Sequence, residues 1–355
     1  MKRHTITARG IRALAATAAL GLALTGCSAI GQQAPSSTDS TGASNGTVTI
    51  LTHDSFNISE EQIAAFEAAS GYTLVTTAPG DAGFVVNQLI LSKDAPTVDG
   101  VYGIDNYSAQ AVIDAGALAP YGSPALPESA KTYSVGSELT PIDMGQVCIN
   151  IDHEWFAANG VAEPTTLDQL AEPEYAKLLV VTDPATSSPG LAFLVATIAA
   201  KGEDGWQDYW KALLAGGTKV AAGWSDAYYT DFSGADGKGA YPLVLSYSSS
   251  PAYTGGATGS IEATCTTQVE YAGVVAGAKN PEGAQAFIDY LLSNEFQAGL
   301  PDNMYMYPVD DRVSLPTEWS EFAALSANPL DLDAATVAAN RTAWISEWTT
   351  LNESR

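Results

Sequence analysis

From position 48 onward, apolar residues recur in two alternating rhythms, one of period two and one of period near 3.6. The run 48–52 (Val-Thr-Ile-Leu-Thr) is short and β-branched, which predicts a buried strand. Residues 60–69 follow with Ile63, Phe66 and Ala69 on one helical face. Further strands are predicted at 73–77 and 98–102, and helices at 84–91 and 108–115, the latter stopped by Gly116. The alternation resumes with strands at 178–182, 219–221 and 241–246. Helices are predicted at 190–200 and at 205–214, which carries Trp206 and Trp210, and long ones at 281–292 and 334–348. Strands alternating with helices predict an α/β protein: two units in series, each a parallel sheet with helices on its faces. In open α/β sheets the ligand sits beyond the carboxyl ends of the strands, so the loops there should carry the chemistry.

The first residues follow a different pattern. A basic stretch (Lys2, Arg3, Arg9, Arg12) precedes an apolar run at 13–24, too short to span a bilayer comfortably. It ends in Leu24-Thr25-Gly26-Cys27, a lipobox, so residues 1–27 read as a lipoprotein signal peptide with Cys27 as the lipidated residue. Residues 28–46, rich in Ser, Thr, Gly, Gln and Ala, lack hydrophobic periodicity and read as a flexible tether. The protein is thus expected outside the cytoplasm, held to the cell membrane by lipid on Cys27. Cys148 and Cys265 remain, and an exported pair is more readily bridged than left as two buried thiols.

Composition narrows the functional classes. Lys and Arg number 15 against 40 Asp and Glu, a formal charge of −25, which argues against nucleic acid as a partner. Three His and three Cys leave little for a metal cage, and no metal or cofactor is expected. The stretch Gly223-Trp224-Ser225-Asp226-Ala227 lacks the last Gly of a nucleophile elbow, and His53 and His153 are the only imidazole bases beyond the leader. An enzyme is therefore not expected.

The loops after the predicted strands carry aromatics, hydroxyls and carboxylates. They include His53-Asp54-Ser55-Phe56, Gly80-Asp81, Asp105-Asn106 and Asp183 to Gly190. Others hold Trp224, Tyr228 and Tyr229, then Tyr247 to Tyr253, then Met304-Tyr305-Met306-Tyr307. Asp81 and Ser187 at helix starts also suit plain N-caps, and a loop Tyr or Trp also suits plain packing. Together these residues would suit a flat cationic ring: aromatic faces attract cations, and Asp54 or Asp105 can pair with one.

Several motifs resemble the thiamine-binding proteins of thiamine ABC importers. They are Asp54-Ser55-Phe56, Asp183-Pro184-x-Thr186-Ser187-x-Pro189-Gly190, Gly223-Trp224-Ser225-x-Ala227-Tyr228 and Met306-Tyr307-Pro308. The most specific is Ser246-Tyr247-x-x-Ser250-Pro251-Ala252-Tyr253; the tail Arg341-x-Ala343-Trp344 also matches. The resemblance implies a type II periplasmic-binding-protein fold, two α/β lobes with a ligand cleft between them. Lobe 1 would be 47–145 plus 255–330, lobe 2 146–254, and 331–355 a C-terminal helix. It implies thiamine as ligand, with Trp224, Tyr247 and Tyr253 in an aromatic cage and Tyr305 where the family usually has Trp. Asp81 and Ser187 match positions near the hydroxyethyl or phosphate end, and His53, Asp54, Ser55 and Asp105 complete the expected site. Partners would be an ABC permease and its ATPase, with the protein itself a monomer. Three departures bear on specificity: His53 replaces a Tyr, Ala185 an Arg and Ala222 a Lys. The two lost basic residues predict a preference for free thiamine over its phosphate esters. Other solutes of the superfamily compete, namely ferric ion through Tyr228-Tyr229 or a polyamine.

Overall fold

The computed structural model describes residues 46–235 and 238–355. Cys27 and nearly all of the expected tether lie outside the described residues. The last tether residue, Gly46, already opens the first strand.

The strands in chain order are β1 (Gly46–Leu51), β2 (Tyr72–Thr77), β3 (Gly100–Asp105), β4 (Leu118–Ala119) and β5 (Thr140–Asp152). They continue with β6 (Leu179–Thr182), β7 (Lys219–Ala221), β8 (Leu243–Tyr247), β9 (Thr258–Val275) and β10 (Tyr307–Pro308). All belong to one sheet in the order β2-β1-β3-β9-β5-β8-β6-β7, with β4 added on β9 and β10 on β5. Each end of the sheet is parallel, β1 with β2 and β3, β6 with β7 and β8. Its middle is antiparallel, where β9 pairs with β3 and β5, and β5 with β8.

This corrects the expectation of two parallel sheets in series. The predicted strands and helices all form, but two strands of 13 and 18 residues that the periodicity did not place, β5 and β9, run through the centre and fuse the halves, as the crossover strands that the family resemblance implies. They pair from Thr140–Ala272 to Asp152–Thr258. The pairing shifts between Val147–Thr266 and Ile149–Ile261, and Cys148 and Cys265 form a disulfide across that irregularity.

Each half has its own core. Beyond β6–β8, the helices Ser188–Lys201 and Trp206–Ala215 bury Phe193, Trp206 and Trp210. The last helix, Ala334–Glu353, brings Trp344 and Trp348 into the same cluster, with Trp348 edge-on to Trp210 at 5.4 Å. Around β1–β3, Phe66, Phe287, Ile288 and Leu291 pack on one face and Val85, Val86 and Leu89 on the other. Among the described residues, no helix is long and apolar enough to cross a membrane.

Candidate functional site

The loops from the two halves meet over the central strands and enclose a cavity of about 280 Å³, at the small end for small-molecule pockets. From the first half come His53, Asp54, Ser55, Asn57 and Asp81. From the second come Ser188, Pro189, Trp224, Ser225, Tyr229 and Tyr247. Glu270 of β9 forms part of the wall, and the segment Asp302 to Met306 closes one side.

The aromatic wall is held by hydroxyl relays that account for the residue spacing. Trp224 Nε1 donates to Ser246 Oγ (2.9 Å), which lies 2.8 Å from Ser250 Oγ. Ser250 Oγ in turn accepts from the Tyr247 amide (3.3 Å), so one turn of chain after β8 fixes both rings. Tyr228 stacks on Trp224 with centroids 5.0 Å apart and planes 13° from parallel. Tyr247 Oη accepts from Gln268 Nε2 at 3.0 Å. Tyr305 adopts φ 55°, in the left-handed region, and its carbonyl accepts from Ser249 Oγ at 2.5 Å.

Asp81 stitches the halves together. Its Oδ1 accepts from the Ala82 amide (2.6 Å) and its Oδ2 from the Trp224 amide across the cleft (2.9 Å). A backbone bond, Gly83 N to Thr186 O at 2.9 Å, runs alongside. Burial raises the pKa of Asp81, and the two amides and Ser187 oppose the rise. Asp81 therefore stands both at the start of its helix and in the cavity wall. Ser187 stands at a helix start without capping it; its hydroxyl bonds Thr182 Oγ1 at 2.9 Å.

Below the cavity lies a buried chain of ionisable groups. His53 Nε2 is 3.5 Å from Glu270 Oε2. Tyr102 Oη is 2.9 Å from that same oxygen and 2.5 Å from Asp143 Oδ2. Asp143 and Glu270 are register partners on β5 and β9, so their carboxyls crowd together. Burial and then Glu270 push the Asp143 pKa well up. Burial also opposes charge on Glu270, but His53 together with the hydrogen bonds of Tyr102 and Asp143 outweighs it and holds the Glu270 pKa down. For His53 burial pulls downward, while Glu270, Asp81 and Asp54 win and raise it. Tyr102 has one hydroxyl hydrogen for two carboxyls. The chain closes when Asp143 keeps its proton, Tyr102 donates to Glu270, and Glu270 faces protonated His53.

Of the ten expected ligand residues, His53, Asp54, Ser55, Asp81, Trp224, Tyr247 and Tyr305 line the cavity. Tyr253 sits one shell out, 44% exposed, its ring edge-on to Tyr305 at 5.1 Å. Ser187 touches the site through Asp81, while its neighbour Ser188 lines the cavity. Asp105 lies elsewhere: it is buried and accepts from the Ser108 amide at 2.7 Å. Burial raises its pKa to about 6 against the pull of Arg341, whose Nη2 donates to Ser108 Oγ at 3.1 Å. Tyr228 and Tyr229 do not converge, because Tyr228 is packed under Trp224 and only Tyr229 lines the cavity. Sequence reasoning missed Glu270. The available signal was Gln268 and Glu270 alternating with Val269 and Tyr271, the period-two pattern of a strand with one polar face.

Comparison with known proteins places this architecture. Residues 96–328 match the profile of the family described as bacterial extracellular solute-binding protein. The chain belongs to that family. This solute-binding protein is 32% identical over 312 residues to the thiamine-binding periplasmic protein of Escherichia coli (strain K12), covering 85% of this chain and 92% of that one. It is 29% identical to the protein of the same name from Brucella suis biovar 1 (strain 1330), covering 85% and 91%. A solved periplasmic thiamin binding protein superposes with TM-score 0.76 at 31% identity, covering 86% of this chain and 96% of that one. A ferric binding protein from Campylobacter jejuni shares the fold, with TM-score 0.67 at 18% identity, covering 86% of this chain and 99% of that one. The fold is that of type II periplasmic binding proteins.

Proposed function

We propose that this protein captures thiamine outside the cytoplasm and delivers it to an ABC permease driven by a cytoplasmic ATPase. The observation that carries the reading is the cavity itself: aromatic rings of Trp224, Tyr229, Tyr247 and Tyr305 beside Asp54, Asp81, Glu270 and Asp302, with no Lys or Arg among the described lining residues. Aromatic faces and carboxylates favour a flat cation. The relatives' thiamine-binding names support the same ligand. Trp224, Tyr247 and Tyr305, with Tyr253 behind, form the ring cage, and Asp81 acts at the junction of the lobes. Lobe 1 is 47–145 plus 255–330 and lobe 2 is 146–254, hinged on β5 and β9; closure over the ligand is the signal the permease reads. Lipid on Cys27 and the tether at 28–46 keep the monomeric protein near the membrane. No chemistry is done on the ligand.

The test is titration calorimetry of the mature protein with thiamine. One-to-one, sub-micromolar binding is expected. Absence of binding by folded, ligand-free protein would sink the reading, and binding of ferric ion or a polyamine instead would reassign the cleft.

A further inference from the structure

We infer that Glu270 is the counter-ion of the ligand's cationic ring, and that His53 holds this place in the empty cleft with a proton it releases when the ligand arrives. The inference rests on the thiamine reading and names the electrostatic partner within that site. The cavity wall carries Asp54, Asp81, Glu270 and Asp302 and no Lys or Arg among its described residues. Among the described lining residues, His53 is the one side chain that can become positive at ordinary pH.

The imidazole occupies a built position. It is 5% exposed, with Nδ1 2.9 Å from Ser55 Oγ and Nε2 3.5 Å from Glu270 Oε2. At that distance Nε2 makes no hydrogen bond within the protein, so the contact is one of charge. The ring fits because position 103 is Gly: a Cβ there would come 2.3 Å from His53 Cδ2, and the backbone has φ +93°.

Every element packed around the ring presents negative or neutral groups. Its own loop brings Asp54 and Ser55, the loop after β2 brings Asp81, and β9 brings Glu270. Tyr102 of β3 lies 5.6 Å away centroid to centroid, with Asp143 of β5 behind it. No basic side chain is among the groups that act on it. A proton on His53 therefore balances Glu270 when no ligand is present. A permanent cation set against the same carboxylate supplies that balance and repels the imidazolium, which lowers the His53 pKa. The exchange conserves charge: the ligand cation enters, His53 becomes neutral, and one proton goes to solvent.

Linkage fixes the sign. Because binding releases a proton, affinity rises with pH by up to about tenfold per unit below the free protein's His53 pKa, and levels off above it. The test is calorimetry of the mature protein with thiamine at neutral pH, in phosphate and in Tris, whose ionisation heats differ. The expected result is a buffer-dependent heat equal to a fraction of one released proton, growing as pH falls towards 6. The aminopyrimidine ring of thiamine also titrates in acid, and any proton released from it would persist in His53→Gln, which separates the two sources.

His53→Gln should make the heat independent of buffer and flatten the pH profile. Glu270→Gln should do the same and weaken binding at least tenfold. Structural damage would lower affinity or Tm without removing proton release from the binding that remains. Binding by the wild type without release, or equal release by His53→Gln, would overturn the inference and leave the thiamine reading standing. No binding heat in any buffer would remove the thiamine reading, and this inference with it.

Discussion

The bridged cleft makes a sharp prediction at Gly83, a residue outside the cavity lining. A Cβ at this position would lie 2.6 Å from Ala185 O, Thr186 C and Thr186 Cα, all backbone atoms of the opposite half. Ordinary contact needs about 3.4 Å, so the halves must part locally by roughly 0.8 Å (3.4 − 2.6). That stretches the Gly83 N–Thr186 O bond from 2.9 Å past hydrogen-bonding range, and threatens the neighbouring Asp81–Trp224 amide bond, also 2.9 Å. A neutral bond contributes about 0.5–1.5 kcal/mol and one to a carboxylate about 1.5–3. Losing both costs roughly 2–4.5 kcal/mol of closure, and about 1.4 kcal/mol is tenfold in affinity. Gly83→Ala should therefore weaken thiamine binding roughly 30- to 2,000-fold without removing any contact to the ligand. Within its helix the same change is favourable by about 0.5–1 kcal/mol, so the ligand-free Tm should hold or rise. Calorimetry for Kd beside a thermal melt separates the two effects. Affinity within threefold of wild type, at an unchanged Tm, would refute closure through this contact.

Three further outcomes are expected. Thiamine diphosphate should bind at least tenfold more weakly than thiamine, because the cavity offers a phosphate several carboxylates and, among its described lining residues, no Lys or Arg; comparable dissociation constants in parallel titrations would contradict this. Asp105 has a folded pKa raised from 3.8 to about 6, so the unfolded chain ionises first and stability should fall by up to roughly 3 kcal/mol as pH rises from about 4 to 6. Denaturant midpoints of Asp105→Asn should lack that fall, and a wild-type profile flat across the window would dismiss it. Replacing Cys148 and Cys265 together by Ala opens a loop spanning 117 residues and should cost about 2–5 kcal/mol in urea unfolding, with an unchanged midpoint as the contrary result.

The outer elements of the fold were legible because their local signals agree. The helix Glu60–Ser70 has a Ser59 capping box with Gln62 at its start and Gly71 in the left-handed region at its end. In the parallel ends, β3 and β6 are short apolar runs, buried as such runs should be, while the edge strand β2 is largely exposed. The two crossover strands were not legible. Residues 140–152 are interrupted by Pro141, Asp143 and Gly145, and residues 258–275 alternate Thr, Glu and Gln with small residues. The breaks weaken the first as a strand by propensity, and the second, though it holds β-favouring Thr and Val, has no apolar run over most of its length to mark a buried strand. What makes them strands is tertiary: they pair with each other, and β9 also with β3 and β5 with β8.

The same cause divides the site. Residues delivered by loops after recognisable strands, such as His53, Asp81 and Trp224, could be read from their motifs. Asp105 shares that address and nevertheless serves Ser108 and the last helix, because position at a strand end does not say which way a side chain turns. Glu270 and Asp143 sit in mid-strand, where a charge has meaning only once its cross-strand partner is known. Their adjacency forces the proton arrangement on Tyr102, and that arrangement leaves Glu270 charged towards the cavity. The electrostatic character of the cleft floor is therefore a property of the register between β5 and β9. A one-residue slip of either strand would turn one of these carboxyls to the other face of the sheet, and would leave His53 without its counter-charge.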